Sequence, residues 1–199
     1  MTTKRIDPRI TRTREMLRNA LMELIQEKGF EKITVQELTK RAGLYRGTFY
    51  LHYQDIYDLF DQSKAEMLKG IREIASDVNP QDFQQQNWLK EPHPQALRMY
   101  EYYAEHAAFF RTILGPNGDP SFLVEIKAIM KELFQKNYAL FKKNEAQLPI
   151  PEDFFISYIV SANLGLLQHW FETDMVYSPR EIALMSMRMR LGLFHTTGF

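Results

Sequence analysis

The chain contains no cysteine, which removes disulfides and thiolate metal sites together and leaves no demand for an oxidising compartment. No apolar run approaches the roughly 20 residues that a bilayer-spanning helix needs, and the opening stretch MTTKRIDPRITRTR lacks the apolar core of a signal peptide. A cytoplasmic protein without a membrane partner is the expectation. Enzyme signatures are missing too: there is no GxSxG, no phosphate-cradling glycine loop and no dinucleotide fingerprint. The histidines, His52, His93, His106, His169 and His195, show no metal-binding spacing. His169 and Glu172, three apart, come nearest to a ligand pair, and a core histidine beside a surface carboxylate accounts for them better. No catalytic residue, metal or cofactor is expected.

Net charge is absent as well, with 25 Lys and Arg against 25 Asp and Glu. Its distribution is uneven. Residues 1–55 hold 11 basic and 7 acidic side chains, and the remaining residues carry the compensating acidic excess. One end is thus the better suited to meet phosphates. Lys4, Arg5, Arg9, Arg12 and Arg14 form a basic arm at that end, placed to follow a backbone or reach a minor groove, or else a solvated terminus.

What is present is helical patterning, and it centres on residues 34–53, TVQELTKRAGLYRGTFYLHY. Thr34 precedes Glu37 by three residues, the spacing at which hydroxyl and carboxylate reciprocally satisfy the open amides of a helix start. Val35, Leu38 and Ala42 then lie on one helical face, and Gly43 supplies a left-handed stop. A second helix over about Arg46 to Tyr53 turns Phe49 and Tyr53 inward. Arg46, Gly47, Thr48, Tyr50, Leu51 and His52 are left for an external partner. This is helix-turn-helix geometry, in which the second helix enters a major groove. The same spacing also occurs in plain helical bundles.

The residues Ile33-Thr34-Val35, Ala42-Gly43-Leu44, Gly47-Thr48-Phe49-Tyr50 and His52-Tyr53 together resemble the DNA-binding domain of TetR-family transcriptional regulators. The resemblance implies that Thr34, Gly47, Thr48, Tyr50 and His52 contact operator phosphates and bases. It departs at Tyr45, where that family usually carries a small serine capping the recognition helix, and at Ile56, where it usually carries a phosphate-contacting lysine. Tyr45 and Leu51 complete the expected DNA-facing set.

Around this motif the pattern predicts an all-α chain of about nine helices. Residues 1–55 are expected to form the DNA-binding domain and 56–199 a helical effector-binding and dimerisation domain. The first helix, from about Arg9 to Lys28, carries Ile10, Leu17, Leu21, Leu24 and Ile25, and Gly29 closes it. Asp55 begins a long helix to about Asp77, the expected lever between the domains. Pro80 to Pro94 reads as a mobile connection. Helices then follow over Gln95 to His106 and Ala107 to Leu114, with a loop at Gly115-Pro116-Asn117-Gly118. Further helices run from Pro120 to about Asn144, from Glu152 to Thr173, and onward from the capping residues Ser178-Pro179-Arg180-Glu181.

The helix from Glu152 is apolar on most sides, with Phe154, Phe155, Tyr158, Ile159, Leu166, Leu167, Trp170 and Phe171. Such a helix must be covered all round. The last two helices are therefore expected to pair with their symmetry mates in a homodimer, the TetR-family arrangement, presenting two recognition helices to a near-palindromic double-stranded operator. Tyr100, Tyr103, Phe110, Phe134, Tyr138, Phe155, Tyr158, His169 and Trp170 form a candidate effector pocket, although aromatics at helical spacing more often build a core. Phe109-Phe110 and the Gly165 to Trp170 segment also resemble a TetR subgroup that includes an activator of dihydroxyacetone kinase genes, which works with protein partners. The expectation is a repressor relieved by a small-molecule effector. The alternative is a helical module that binds a small molecule or a protein partner, with weak or altered DNA binding.

Overall fold

A computed structural model describes residues 7–77, 90–141 and 151–195, and for 137–141 and 190–195 it describes the backbone alone. Nine α-helices and no strand occur among the described residues: α1 Pro8–Lys28, α2 Val35–Arg41, α3 Arg46–Tyr50, α4 Ile56–Ser76, α5 Pro94–Glu105, α6 Ala107–Ile113, α7 Pro120–Phe141, α8 Glu152–Glu172 and α9 Pro179–His195. Most starts follow from capping chemistry. Asp7 accepts from the Arg9 amide with Pro8 at the first helical position of α1, and the Ser178 hydroxyl and Glu181 carboxylate close a reciprocal box at α9.

The residues form two compact units. The first comprises Met1–Met67 and Ala108–Asp119. Leu17, Leu21, Leu38, Phe49 and Leu59 are fully enclosed in it, so the inner faces of α1, α2, α3 and the start of α4 share one core. Phe30 packs edge-on to Tyr57 and against Phe60, with centroids 5.0 and 4.8 Å apart. Polar ties cross the same core. Buried Arg18 pairs with Glu66 at 2.9 Å, and Gln26 Nε2 donates to Thr112 Oγ1 at 2.7 Å. Lys64 pairs with Asp119 at 2.8 Å, so the segment around α6 is fastened to α1 and α4.

The second unit comprises Leu68–Ala107 and Pro120–Phe199. Here α5 packs on α9, α7 on α8, and α8 on α9. The Gln95 amide nitrogen donates to the Ile74 and Ala75 carbonyls, satisfying acceptors at the end of α4 that no helical turn follows. Trp170 is buried, meets Tyr100 edge-on at 5.7 Å and donates its indole N–H to the Tyr177 carbonyl at 2.8 Å.

Several expectations change in detail. The first compact unit includes residues 56–67 of α4 and also 108–119. The recognition helix stops at Tyr50, because the Phe49 carbonyl accepts from both His52 and Tyr53 amides and the chain turns there. Asp55 precedes α4 as a cap, its carboxylate accepting from the Asp58 amide at 2.8 Å. Ile10 is exposed at the start of α1. Arg9, Arg12 and Arg14 sit on the first turns of α1. Lys4, Arg5 and most of the expected connection, residues 80–89, lie outside the described residues.

Candidate nucleic-acid interface

Thr34 opens α2 as its sequence spacing predicts. Its hydroxyl accepts from the Glu37 amide while the Glu37 carboxylate accepts from the Thr34 amide, so both open donors are satisfied. Lys28 adds an ion pair to Glu37 at 2.7 Å. The Lys28 and Thr34 hydrogen bonds hold the Glu37 carboxyl down at about 2. At the other end of α2, Arg41 forks onto Glu27 at 2.7 and 2.8 Å and reaches Glu23 at 3.1 Å. These pairs fix α2 against α1. Glu23 and Glu27 stand four apart on one face of α1, which is the sequence signal that could have marked this clamp.

Gly43 then takes φ +67°, the left-handed conformation in which a side chain is strained, and the Leu44 amide donates back to the Thr39 carbonyl at 2.8 Å. This turn launches α3. Phe49 and Tyr53 anchor it inward, packed 5.8 Å apart and buried. The opposite face is left open: Tyr45 is 87% exposed, Leu51 81% and Tyr50 48%. Arg46 and Gly47 are exposed, and Thr48 and His52 are half-buried beside them. Tyr45 precedes the helix without a side-chain cap, as expected where a serine is replaced.

Two features of this face bear on what it meets. A methyl group at Gly47 would touch no protein atom within 4 Å, so no internal packing requires glycine there. His52 has its pKa lowered, first by burial and then by the Arg14 charge, so near neutral pH it is an uncharged donor or acceptor. Arg14 also lies 5.8 Å over the Tyr53 ring. Ile56 is buried at the head of α4 and offers nothing to a phosphate.

In the second unit a cavity of about 90 Å³ lies between α5, α7, α8 and α9. Of the residues expected to line an effector pocket, Tyr100, Tyr103 and Phe134 border it. The others are placed differently. Phe110 is buried in the first unit, and Phe155 and Trp170 are buried without bordering the cavity. Tyr158 is 55% exposed, His169 is exposed and stands 3.8 Å from Glu172, and the Tyr138 side chain lies outside the described residues. His93, Met99, Met130, Asn163, Ser186 and Met187 line it instead. Only spatial adjacency of distant helices identifies these residues, since helical period ranks faces and not their mutual contacts. Burial pushes the Tyr103 hydroxyl well above its ordinary pKa, so it stays protonated.

Comparison with known proteins matches two stretches of the chain. Residues 17–69 match the family described as bacterial regulatory proteins, tetR family, and residues 90–192 match a transcriptional regulator C-terminal region. An uncharacterized HTH-type transcriptional regulator of Bacillus subtilis (strain 168), YxbF, is 22% identical over 169 residues, 84% of this chain and 42% of that protein. The chain therefore spans less than half the length of this curated relative. Among solved structures, the dihydroxyacetone kinase operon activator DhaS is similar with a TM-score of 0.59 and 18% identity, over 92% of this chain and 96% of that one. FadR of Bacillus subtilis in complex with stearoyl-CoA is similar with a TM-score of 0.55 and 13% identity, over 88% and 96%. A putative TetR-family regulator of Syntrophomonas wolfei reaches a TM-score of 0.65 at 15% identity, over 95% and 97%. At these identities the structures share a fold.

Proposed function

The chain belongs to the TetR family of bacterial transcriptional regulators, and we propose from that premise that it binds a near-palindromic operator as a homodimer and represses by occluding a promoter. The observation that carries the reading is the outer face of α3. Glycine in a helix costs up to about 1 kcal/mol relative to alanine, and at Gly47 no neighbouring atom requires it. A backbone phosphate approaching that bare surface supplies the reason. Thr48 and Tyr50 hydroxyls and neutral His52 then offer hydrogen bonds to phosphate oxygens and base edges, with Thr34 at the start of α2 as a further phosphate contact. Tyr45, Arg46 and Leu51 extend the same face.

The dimer is proposed through α8 and α9. Phe154, Tyr158, Ala162, Gly165 and His169 are exposed and recur along one side of α8, and Met189 is exposed on α9. An apolar side of this kind finds its cover in a second copy. The effector proposed for the α5, α7, α8 and α9 cavity is a small, largely apolar, uncharged molecule. Met99, Met130, Leu133, Phe134 and Leu167 supply the apolar wall, Asn163 and Ser186 the polar points, and no Lys or Arg among the described residues borders it. Its binding would shift the dimer toward a state with weaker operator affinity, through different affinities for the two states.

The decisive experiment selects bound fragments from random and genomic DNA with the purified full chain. A recurring motif with two-fold symmetry is the expected outcome, with affinity falling steeply with salt as phosphate contacts release counterions. Absence of any sequence preference at low ionic strength ends the reading.

A further inference from the structure

Arg46 stands at the first helical position of α3 and Tyr50 one turn later, so both side chains rise from the same exposed face. Arg46 Nη2 donates to the Tyr50 hydroxyl oxygen at 3.0 Å and Nε does so at 3.4 Å. The guanidinium carbon lies 5.5 Å from the centre of the Tyr50 ring. Four other basic residues of the first unit pair with carboxylates: Arg18 with Glu66, Arg41 with Glu27 and Glu23, Lys28 with Glu37, Lys64 with Asp119 and Asp61. Arg46 pairs with no carboxylate among the described residues.

The geometry has a chemical consequence. A guanidinium has two forks of N–H donors, one on its side through Nε and Nη2 and one at its end through Nη1 and Nη2. Tyr50 takes the side fork. The end fork stays unused on an exposed residue, and its two parallel donors match the O6 and N7 acceptors that guanine presents in the major groove. An exposed pair of this kind adds little to folding stability, so its consequence lies in orientation. An arginine otherwise free in many rotamers is biased toward the one that meets Tyr50 before DNA arrives.

We infer that Arg46 reads a guanine in each operator half-site and that Tyr50 is the residue that positions it. The inference rests on the proposed operator binding and adds to it the base and the division of labour on α3. Tyr50 then influences sequence discrimination and not only overall affinity. A tyrosine that merely touched a phosphate would act on every sequence alike.

The test compares motif selection and titrations of single-base operator variants for the wild-type full chain, Arg46→Ala and Tyr50→Phe. Circular dichroism melts should be unchanged, because both side chains are exposed. Wild type is expected to prefer guanine at one position per half-site by roughly 5- to 150-fold, the range for one bidentate contact. Arg46→Ala should lose that preference while retaining the rest of the motif. Tyr50→Phe keeps the ring and removes the acceptor; guanine preference should fall several-fold at that position, with the dependence on salt unchanged. Retention of the guanine preference in Arg46→Ala overturns the inference. So does a Tyr50→Phe effect that is uniform across sequences, which marks a plain phosphate contact. A wild-type protein with no motif at all refutes the regulator reading itself, and the two failures are thereby distinct.

Discussion

At the residue scale, the Glu37 carboxylate completes the box that starts α2, accepting from the Thr34 amide and from Lys28. The fold holds that carboxyl at about 2 against an ordinary 4.5. Below 4.5 the unfolded chain therefore binds the proton first. The stabilisation is fully present above the unfolded pKa and is lost as pH falls from about 4.5 toward 2. Glu37→Gln should accordingly melt below wild type near neutral pH, and the gap should close in acid. Thermal melts across that window check it, and a gap independent of pH would mean that the charge plays no part. Thr34→Ala removes the hydroxyl half of the same box and should cost about 1 kcal/mol, readable as a lower urea midpoint.

At the element scale, α3 separates what the fold needs from what its outer face offers. Gly43 and Gly47 stand four residues apart and should respond oppositely to alanine. At Gly43 the positive φ makes any Cβ strained, so Gly43→Ala should destabilise by about 1–2 kcal/mol. At Gly47 nothing lies within 4 Å, so Gly47→Ala should raise stability by as much as about 1 kcal/mol while weakening operator binding. Denaturation and DNA titration of the same two variants decide this; unchanged affinity in Gly47→Ala would show that no phosphate approaches there. The helix starts were legible in the sequence because caps are local: Thr34 with Glu37 and Ser178 with Glu181 name their partners by spacing alone. The end of α3 was not, because its last turn depends on how Phe49 and Tyr53 pack, a tertiary fact. The cavity was half legible for a similar reason. Aromatic content singles out Tyr100, Tyr103 and Phe134, but it singles out Phe110 equally, and only the folded chain sends Phe110 to the first unit. His93 and Ser186 carried no signal at all, being polar and far apart in sequence.

At the scale of the whole molecule, α8 is rich in large apolar residues yet leaves Phe154 69% and Tyr158 55% exposed in the single chain. Gly165 is exposed on the same side, and an added Cβ there meets nothing within 4 Å. A long side chain at 165 is therefore harmless to the protomer and obstructive to a second copy lying along α8. Gly165→Arg should leave the circular dichroism melt of the protomer essentially intact and convert a dimer to a monomer by light scattering. Operator affinity should then fall by two orders of magnitude or more, on the order of the avidity lost when two linked sites become independent. The half-site motif, read by one α3, should survive in the weak residual binding. A Gly165→Arg protein that remains dimeric and binds its operator normally would place the interface on some other surface, leaving the exposed side of α8 without its proposed cover.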